Sequence, residues 1–179
     1  MLMDTKTWYN TIAPSYEELY GEEQFRKVIF IKDLYRRLFG NYKFKRGLDF
    51  GCGTGISIEL LLEIVEEPYA CDISEKLLNI AKHKYPNVNY IKCEGLANEF
   101  RDFFDVIISI TVLQDVENPL GVLYLFKQIL QDHGIVILSV LKKKGISYWK
   151  PIVKEYFNIL WFDEEDKDFV FFLSKKKEL

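Results

Sequence analysis

The sequence predicts an α/β fold built on a mostly parallel sheet, and three observations carry that prediction. From Gly47 onward, short apolar runs alternate with amphipathic stretches. A glycine-rich turn, Gly51-Cys52-Gly53-Thr54-Gly55, falls where the first run meets the first amphipathic stretch. The last two β-rich runs lie too close in sequence for a parallel crossover.

Residues 6–39 read as helical: a short segment from Trp8 to Ala13, a break at Pro14-Ser15, then Tyr16 to Tyr20. After Gly21 a longer helix carries Phe25, Val28, Ile29, Ile31, Leu34, Tyr35, Leu38 and Phe39 at three- and four-residue steps, with Gly40 as its stop. Strands follow at 47–51, 68–72, 88–93, 104–110 and 134–141, and helices at 55–66, 74–85 and 119–132. Ser74 before Glu75 suits a helix entry, and Lys82 to Lys84 complement the negative end of the same helix. Gly134 is expected to stop the 119–132 helix and open the fifth strand. Phe157 to Phe162 and Phe169 to Leu173 are joined only by the polar link 163–168, which predicts an antiparallel hairpin. The connection into that hairpin is only about 15 residues long, including Tyr148, Trp149 and Pro151, too short for a large insertion.

A length of 179 residues with 49% hydrophobic content suits one domain spanning 1–179, with an N-terminal helical lid segment (1–40) and a core (47–174). A formal net charge of -3 gives no overall basic field for nucleic acid or membrane. The start, Met1 to Lys6, lacks a basic region followed by an apolar run, and no apolar span reaches about 18 residues, so a soluble, cytoplasmic protein without membrane contact is expected. Cys52, Cys71 and Cys93 form no C-x-x-C pair and are too few for a disulfide framework; they are expected to be small buried packing residues in a reducing compartment. No metal site is expected, since His83 and His133 lie far from each other and from paired cysteines. Lys175-Lys176-Lys177 is expected to be a solvated end.

Gly51, Gly53 and Gly55 let backbone approach a ligand closely and aim amides at it. Dinucleotide enzymes use glycine turns too, but here the third glycine follows the second by two residues instead of three, and Asp49 stands inside the strand before the turn. A carboxylate there suits a cofactor with a cationic ammonium group better than a pyrophosphate. Asp72, about 20 residues on, can accept both ribose hydroxyls.

These residues resemble the class I, Rossmann-like S-adenosylmethionine-dependent methyltransferases, especially the small ubiquinone-biosynthesis-like branch, over nearly the whole chain. Leu48-Asp49-Phe50-Gly51-Cys52-Gly53-Thr54-Gly55 is similar to the family's first motif, and Phe104 to Ser109 with Leu113 to Pro119 to its fourth. The resemblance implies a three-layer α/β/α sandwich with a seven-stranded sheet in the order 3-2-1-4-5-7-6. It implies S-adenosylmethionine as cofactor, leaving S-adenosylhomocysteine as product. The cofactor residues it implies are Asp49, Gly51, Cys52, Gly53 and Gly55 at the loop, Asp72 at the ribose with Ile73 next to it, Glu94, Gly95 and Leu96 at the adenine, and Ser109 at the fourth strand. Trp8 to Tyr16 is similar to the family's opening, which makes Tyr9 and Tyr16 candidates for a lid. Many family members carry histidine where this chain has Gln114, which cannot serve as a general base.

Methyl transfer from a sulfonium needs alignment more than a base. Asp115 and Glu117 are the catalytic candidates, nearest the carboxyl end of the fourth strand. Ser109-Ile110-Thr111-Val112 replaces the Pro-Pro-Tyr loop of amine-methylating enzymes, and no Pro-Cys follows, which disfavours amide, exocyclic-amine and cytosine-carbon acceptors. The lack of an insertion points to an open site and a macromolecular acceptor, transfer RNA or a translation protein; a small molecule is the alternative. The 88–93 strand would be a sheet edge, which related enzymes use to bind a small zinc-binding activator protein. Two other classes stay open, a nicotinamide-dependent oxidoreductase and a non-catalytic binding module.

Overall fold

The structure is a computed structural model and describes residues 4–176. Met1 to Met3 of the expected lid segment and Lys177 of the lysine run lie outside the described residues. The seven strands, counted along the chain, take the order 3-2-1-4-5-7-6, as expected. The chain divides into two compact units, one ending at Cys93 and one beginning at Glu94.

In the first unit, α1 (Thr5–Ile12) is capped by Asp4, whose carboxylate accepts from the Thr7 amide at 3.0 Å. A 3-10 turn over Ala13–Ser15 holds Pro14, and a π-helical turn over Glu17–Gly21 leads into α2 (Glu22–Phe39). Gly40 ends α2 as expected: it sits at φ 62, where L residues are strained, and donates its amide to the Arg36 carbonyl. Next come β1 (Phe44–Phe50), α3 (Ile58–Ile64), β2 (Val65–Cys71), α4 (Glu75–Lys84) and β3 (Asn89–Tyr90). The pairings β1 with β2 and β2 with β3 are parallel, with Asp49 opposite Ala70 and Phe50 opposite Cys71. Ser74 caps α4 by accepting from the Leu77 amide. The third strand, expected over 88–93, keeps ladder geometry only at Asn89 and Tyr90.

The second unit contains α5 (Leu96–Glu99), β4 (Phe104–Ile110), α6 (Pro119–Ile129), β5 (Leu130–Leu141), α7 (Ile146–Tyr156), β6 (Phe157–Glu164) and β7 (Asp168–Lys175). Every residue of β4 is buried, Asp105 and Ser109 included, as a largely apolar strand covered on both faces of a parallel sheet requires. Each such Phe or Ile contributes about 1.5–3 kcal/mol relative to leaving it exposed. β7 pairs antiparallel with both β5 and β6, which realises the expected hairpin.

Two expectations are corrected in this unit. Gly134 neither stops α6 nor opens β5, because the helix ends at Ile129 and the strand starts at Leu130. A Cβ on Gly134 would lie 2.9 Å from the Asp105 carbonyl and 2.7 Å from Leu130 Cδ1, beside a register shift between Phe104 and Val106. Close backbone approach therefore fixes this glycine. Nor is Lys175 a solvated end: its ammonium lies 2.8 Å from Asp102 and 3.2 Å from Asp132 and donates to the Leu130 carbonyl.

No helix among the described residues is long and apolar enough to cross a membrane.

Candidate cofactor site

The glycine turn hangs from the carboxyl end of β1. Gly51, Gly53 and Gly55 have φ of 81, 54 and 97, a region that L side chains rarely adopt. Gly55 is also fixed by space, because an added Cβ would lie 2.9 Å from the Tyr85 ring. The turn's amides are not aimed outward as expected. Those of Gly51 and Cys52 donate to the Cys71 carbonyl at 2.9 and 3.0 Å, that of Gly53 to Asp72 at 2.8 Å, and that of Gly55 to the Cys52 carbonyl. The first three fasten the end of β1 to the end of β2, and the fourth closes the turn on itself. A pyrophosphate would need those donors; a nucleoside with a cationic tail does not.

Asp49 is fully buried. Its Oδ2 accepts from the Ser57 hydroxyl at 2.5 Å, while Oδ1 is buried without a hydrogen-bond partner. Burial pushes its carboxyl up to about 7; the Ser57 hydrogen bond opposes this and the nearby Asp72 charge adds to it. Asp72 accepts from the Gly53 amide on Oδ2 and from the Ser74 amide on Oδ1 at 2.7 Å. Burial raises its carboxyl as well, against the lowering effect of those two amides. Each Asp72 oxygen accepts one of these bonds, which leaves acceptor capacity for a vicinal diol. Ile73, next in the chain, is an exposed apolar side chain.

The N-terminal segment meets this site. A Cβ on Gly53 would lie 3.9 Å from the Tyr16 ring, so that ring covers the turn, and Tyr9 lies 6.3 Å from Tyr16 between ring centroids. Asn10 accepts from the Ser74 hydroxyl at 2.7 Å and ties α1 to the entry of α4. Neither Asn10, on the short α1, nor Ser57, in the turn before α3, was singled out from the sequence, because a lone polar residue carries no pattern.

The cysteine expectation is overturned in part. Cys52 is indeed a buried packing residue among Ile58, Ala70, Ala81 and Val88. Cys71 and Cys93, however, form a disulfide with Cα atoms 5.4 Å apart. The pairing of Tyr69 with Asn89 and Ala70 with Tyr90 runs the two segments side by side and brings the sulfurs together just past the ladder.

In the second unit Glu94 and Gly95 are exposed and Leu96 is buried at the start of α5. Ser109 is fully buried near the end of β4, and its hydroxyl has no hydrogen-bond partner. Thr111 follows at φ 57, an outlier for a β-branched residue. Its hydroxyl donates to the buried Asp168 at 2.8 Å, as does that of Ser139 at 2.9 Å. Gln114 donates its amide nitrogen to the Thr111 carbonyl and to Asp115. Both partners are acceptors, so the amide orientation is fixed and its oxygen points away, buried and without a partner. Asp115 and Glu117 are exposed.

A sequence profile of the methyltransferase domain family matches residues 48–138, from the strand before the glycine turn to the middle of β5. The chain belongs to the methyltransferase domain family. Among its curated relatives, a ubiquinone biosynthesis O-methyltransferase of Thiobacillus denitrificans is 30% identical over 115 residues, 61% of this chain and 50% of the relative. One of Shewanella halifaxensis is 27% identical over 133 residues, 71% of this chain and 55% of the relative. The chain thus spans about half the length of the curated relatives it matches. Among solved structures, a Methanococcus maripaludis chain described by resemblance as an S-adenosyl-L-methionine-dependent methyltransferase superposes with a TM-score of 0.76 at 15% identity, covering 100% of this chain and 99% of that one. A Haloferax volcanii methyltransferase-type chain, solved with the Trm112 methyltransferase activator, gives 0.77 at 9% identity, covering 99% and 100%.

Family membership brings S-adenosylmethionine as cofactor, and the residues of the first unit fit it. The orphaned Asp49 oxygen suits a cation nearby, Asp72 keeps acceptor capacity for two hydroxyls, and the amides of Gly51, Cys52, Gly53 and Gly55 are already engaged. Among the described residues no group of three or more His, Cys, Asp or Glu is arranged to hold a metal ion.

Proposed function

We propose that this chain transfers the methyl group of S-adenosylmethionine to an RNA acceptor. The donor half of that reading rests on the engaged amides of the glycine turn, which disfavour a dinucleotide. Bound there, the cofactor supplies an electrophilic methyl on a sulfonium. Asp49 balances the charge of its amino-acid end, and Asp72 accepts the ribose hydroxyls. Ile73 offers an apolar surface to the base, and Tyr16 with Tyr9 covers the turn and excludes water. Glu94, Gly95 and Leu96 are assigned to the adenine, and Ser109 to the cofactor, by family resemblance. Asp115 and Glu117 are assigned to the acceptor; no general base is required, because alignment behind the methyl provides most of the acceleration.

The acceptor half rests on a cavity of about 530 Å³ in the second unit, lined by Lys150, Lys154 and Lys176 with Phe157, Ile159 and Phe162. It lies at the end of the sheet where Lys175 meets Leu130, opposite the end of β4 that leads to Asp115, so it is read as a docking site for the acceptor's backbone away from the reacting group. None of the three lysines is in an ion pair with a described residue. Lys176 donates its ammonium to the Lys154 carbonyl, which holds these two lysines side by side, and lysines without acidic partners beside aromatic rings suit a phosphate backbone carrying planar bases. The short connection after β5 builds only a 3-10 turn and α7, with no enclosing subdomain. A small activator partner is supported by the Haloferax volcanii complex, and its place on the β3 edge is assigned by family resemblance. A second reading, a small hydroxylated acceptor, is favoured by the names of the curated relatives.

Labelled-methyl transfer to RNA, protein and phenolic fractions, with and without cellular partners, tests both readings. Label in RNA that the double variant K150E/K154E loses, at unchanged S-adenosylhomocysteine affinity, supports the proposal. Label confined to phenols rejects the RNA acceptor and selects the second reading.

A further inference from the structure

Cys71 is the last residue of β2, and most of the cofactor site's backbone hangs from it. Its carbonyl accepts the amides of Gly51 and Cys52, and the next residue, Asp72, accepts those of Gly53 and Ser74. On the inner side β1 holds this tip, with Phe50 opposite Cys71. On the outer side the ladder stops one residue short: its last bond runs from the Ile91 amide to the Ala70 carbonyl. At that point the Cys71–Cys93 disulfide takes over as the lateral tie. Cys71 is fully buried, whereas Cys93 is partly exposed and open to a thiol.

We propose that the Cys71–Cys93 disulfide positions Asp72 against the cofactor's ribose, so that the oxidised protein binds the ribonucleoside more tightly than the dithiol protein does. The inference rests on the assignment of Asp72 to the ribose. A staple placed elsewhere in the sheet would stabilise the fold without touching ligand preference; this one joins the residue beside Asp72 to the neighbouring segment. A dithiol reagent opens the bond by attack of its thiolate on the Cys93 sulfur, with Cys71 leaving as thiolate and taking a proton. The second reagent thiolate then closes on the mixed disulfide, which releases Cys93 as a thiol and leaves the reagent as its cyclic disulfide.

The test titrates the full chain with S-adenosylhomocysteine and with its 2′-deoxy analogue, in the oxidised protein, in protein reduced with dithiothreitol, and in Cys93→Ser. Circular dichroism establishes that each form is folded at the temperature used. The oxidised form is expected to prefer the ribonucleoside about tenfold, and both thiol forms to lose most of that preference along with affinity for it. Equal affinities in all forms overturn the proposal. So does a parallel loss for both ligands, which marks a plain staple. If the oxidised protein itself binds both ligands equally, the assignment of Asp72 fails, and the proposal with it.

Discussion

Acidification is expected to weaken cofactor binding through Asp49. Its carboxyl lies at about 7 in the ligand-free protein. A cationic ligand end selects the ionised form, so the apparent dissociation constant scales with the inverse of the ionised fraction. That fraction is about nine tenths at about pH 8 and about one tenth at about pH 6, a tenfold loss of affinity. Binding at about pH 6 must also release close to one proton. The same shift acts on the fold with the opposite preference. A folded value raised from 3.8 to about 7 means that the native state holds the proton more firmly than the unfolded chain does. The ligand-free protein therefore loses stability as pH rises from about 4 to about 7, by about 4 kcal/mol for this group, and no more above it. Calorimetric titration with S-adenosylhomocysteine in two buffers of different ionisation heat measures both affinity and proton release. An affinity constant to within about twofold over this range, with no proton released, would refute the reasoning, as would an unaltered pH profile in Asp49→Asn.

Asp72→Ala removes the acceptor for two hydroxyls and is expected to weaken S-adenosylhomocysteine by at least about a hundredfold, while Gln114→Ala stays within about twofold; equilibrium binding separates them. Gly55→Ala places a Cβ at φ 97 and 2.9 Å from the Tyr85 ring, and is expected to cost about 2–4 kcal/mol, seen as a Tm lower by roughly 10 °C in scanning calorimetry. Reduction of Cys71–Cys93 releases a constraint across a sequence separation of 22 residues, and is expected to lower stability by about 3 kcal/mol and Tm by about 6–12 °C. An unchanged Tm under dithiothreitol contradicts that estimate.

The alternation from β1 to β7 was legible because burial dictates it: β4 coincides with its expected 104–110 bounds, since a run buried on both faces has no freedom of pattern. The glycine turn with Asp49 and Asp72 was legible because each must satisfy a local geometry. Residues 130–133 were not. Leu130-Gln131-Asp132-His133 is polar enough to extend a helix on paper, yet it is extended, with Leu130 opposite Phe104, and Gly134 admits the Asp105 carbonyl at the bulge before pairing resumes at Ile135. α7 was missed because Pro151 lies inside it and reads as a breaker. The disulfide was invisible because the proximity of Cys71 and Cys93 arises from strand register, not from their spacing. The engaged amides of the turn depend on where the end of β2 falls, which no local pattern records.

The central claim, that the site between Asp49 and Asp72 is built for S-adenosylmethionine, is tested most directly by titrating the oxidised full chain with S-adenosylhomocysteine and, separately, with a nicotinamide dinucleotide. The account predicts saturable binding of the first, lost in Asp72→Ala, and none of the second. Tight binding of the dinucleotide without binding of S-adenosylhomocysteine would contradict it.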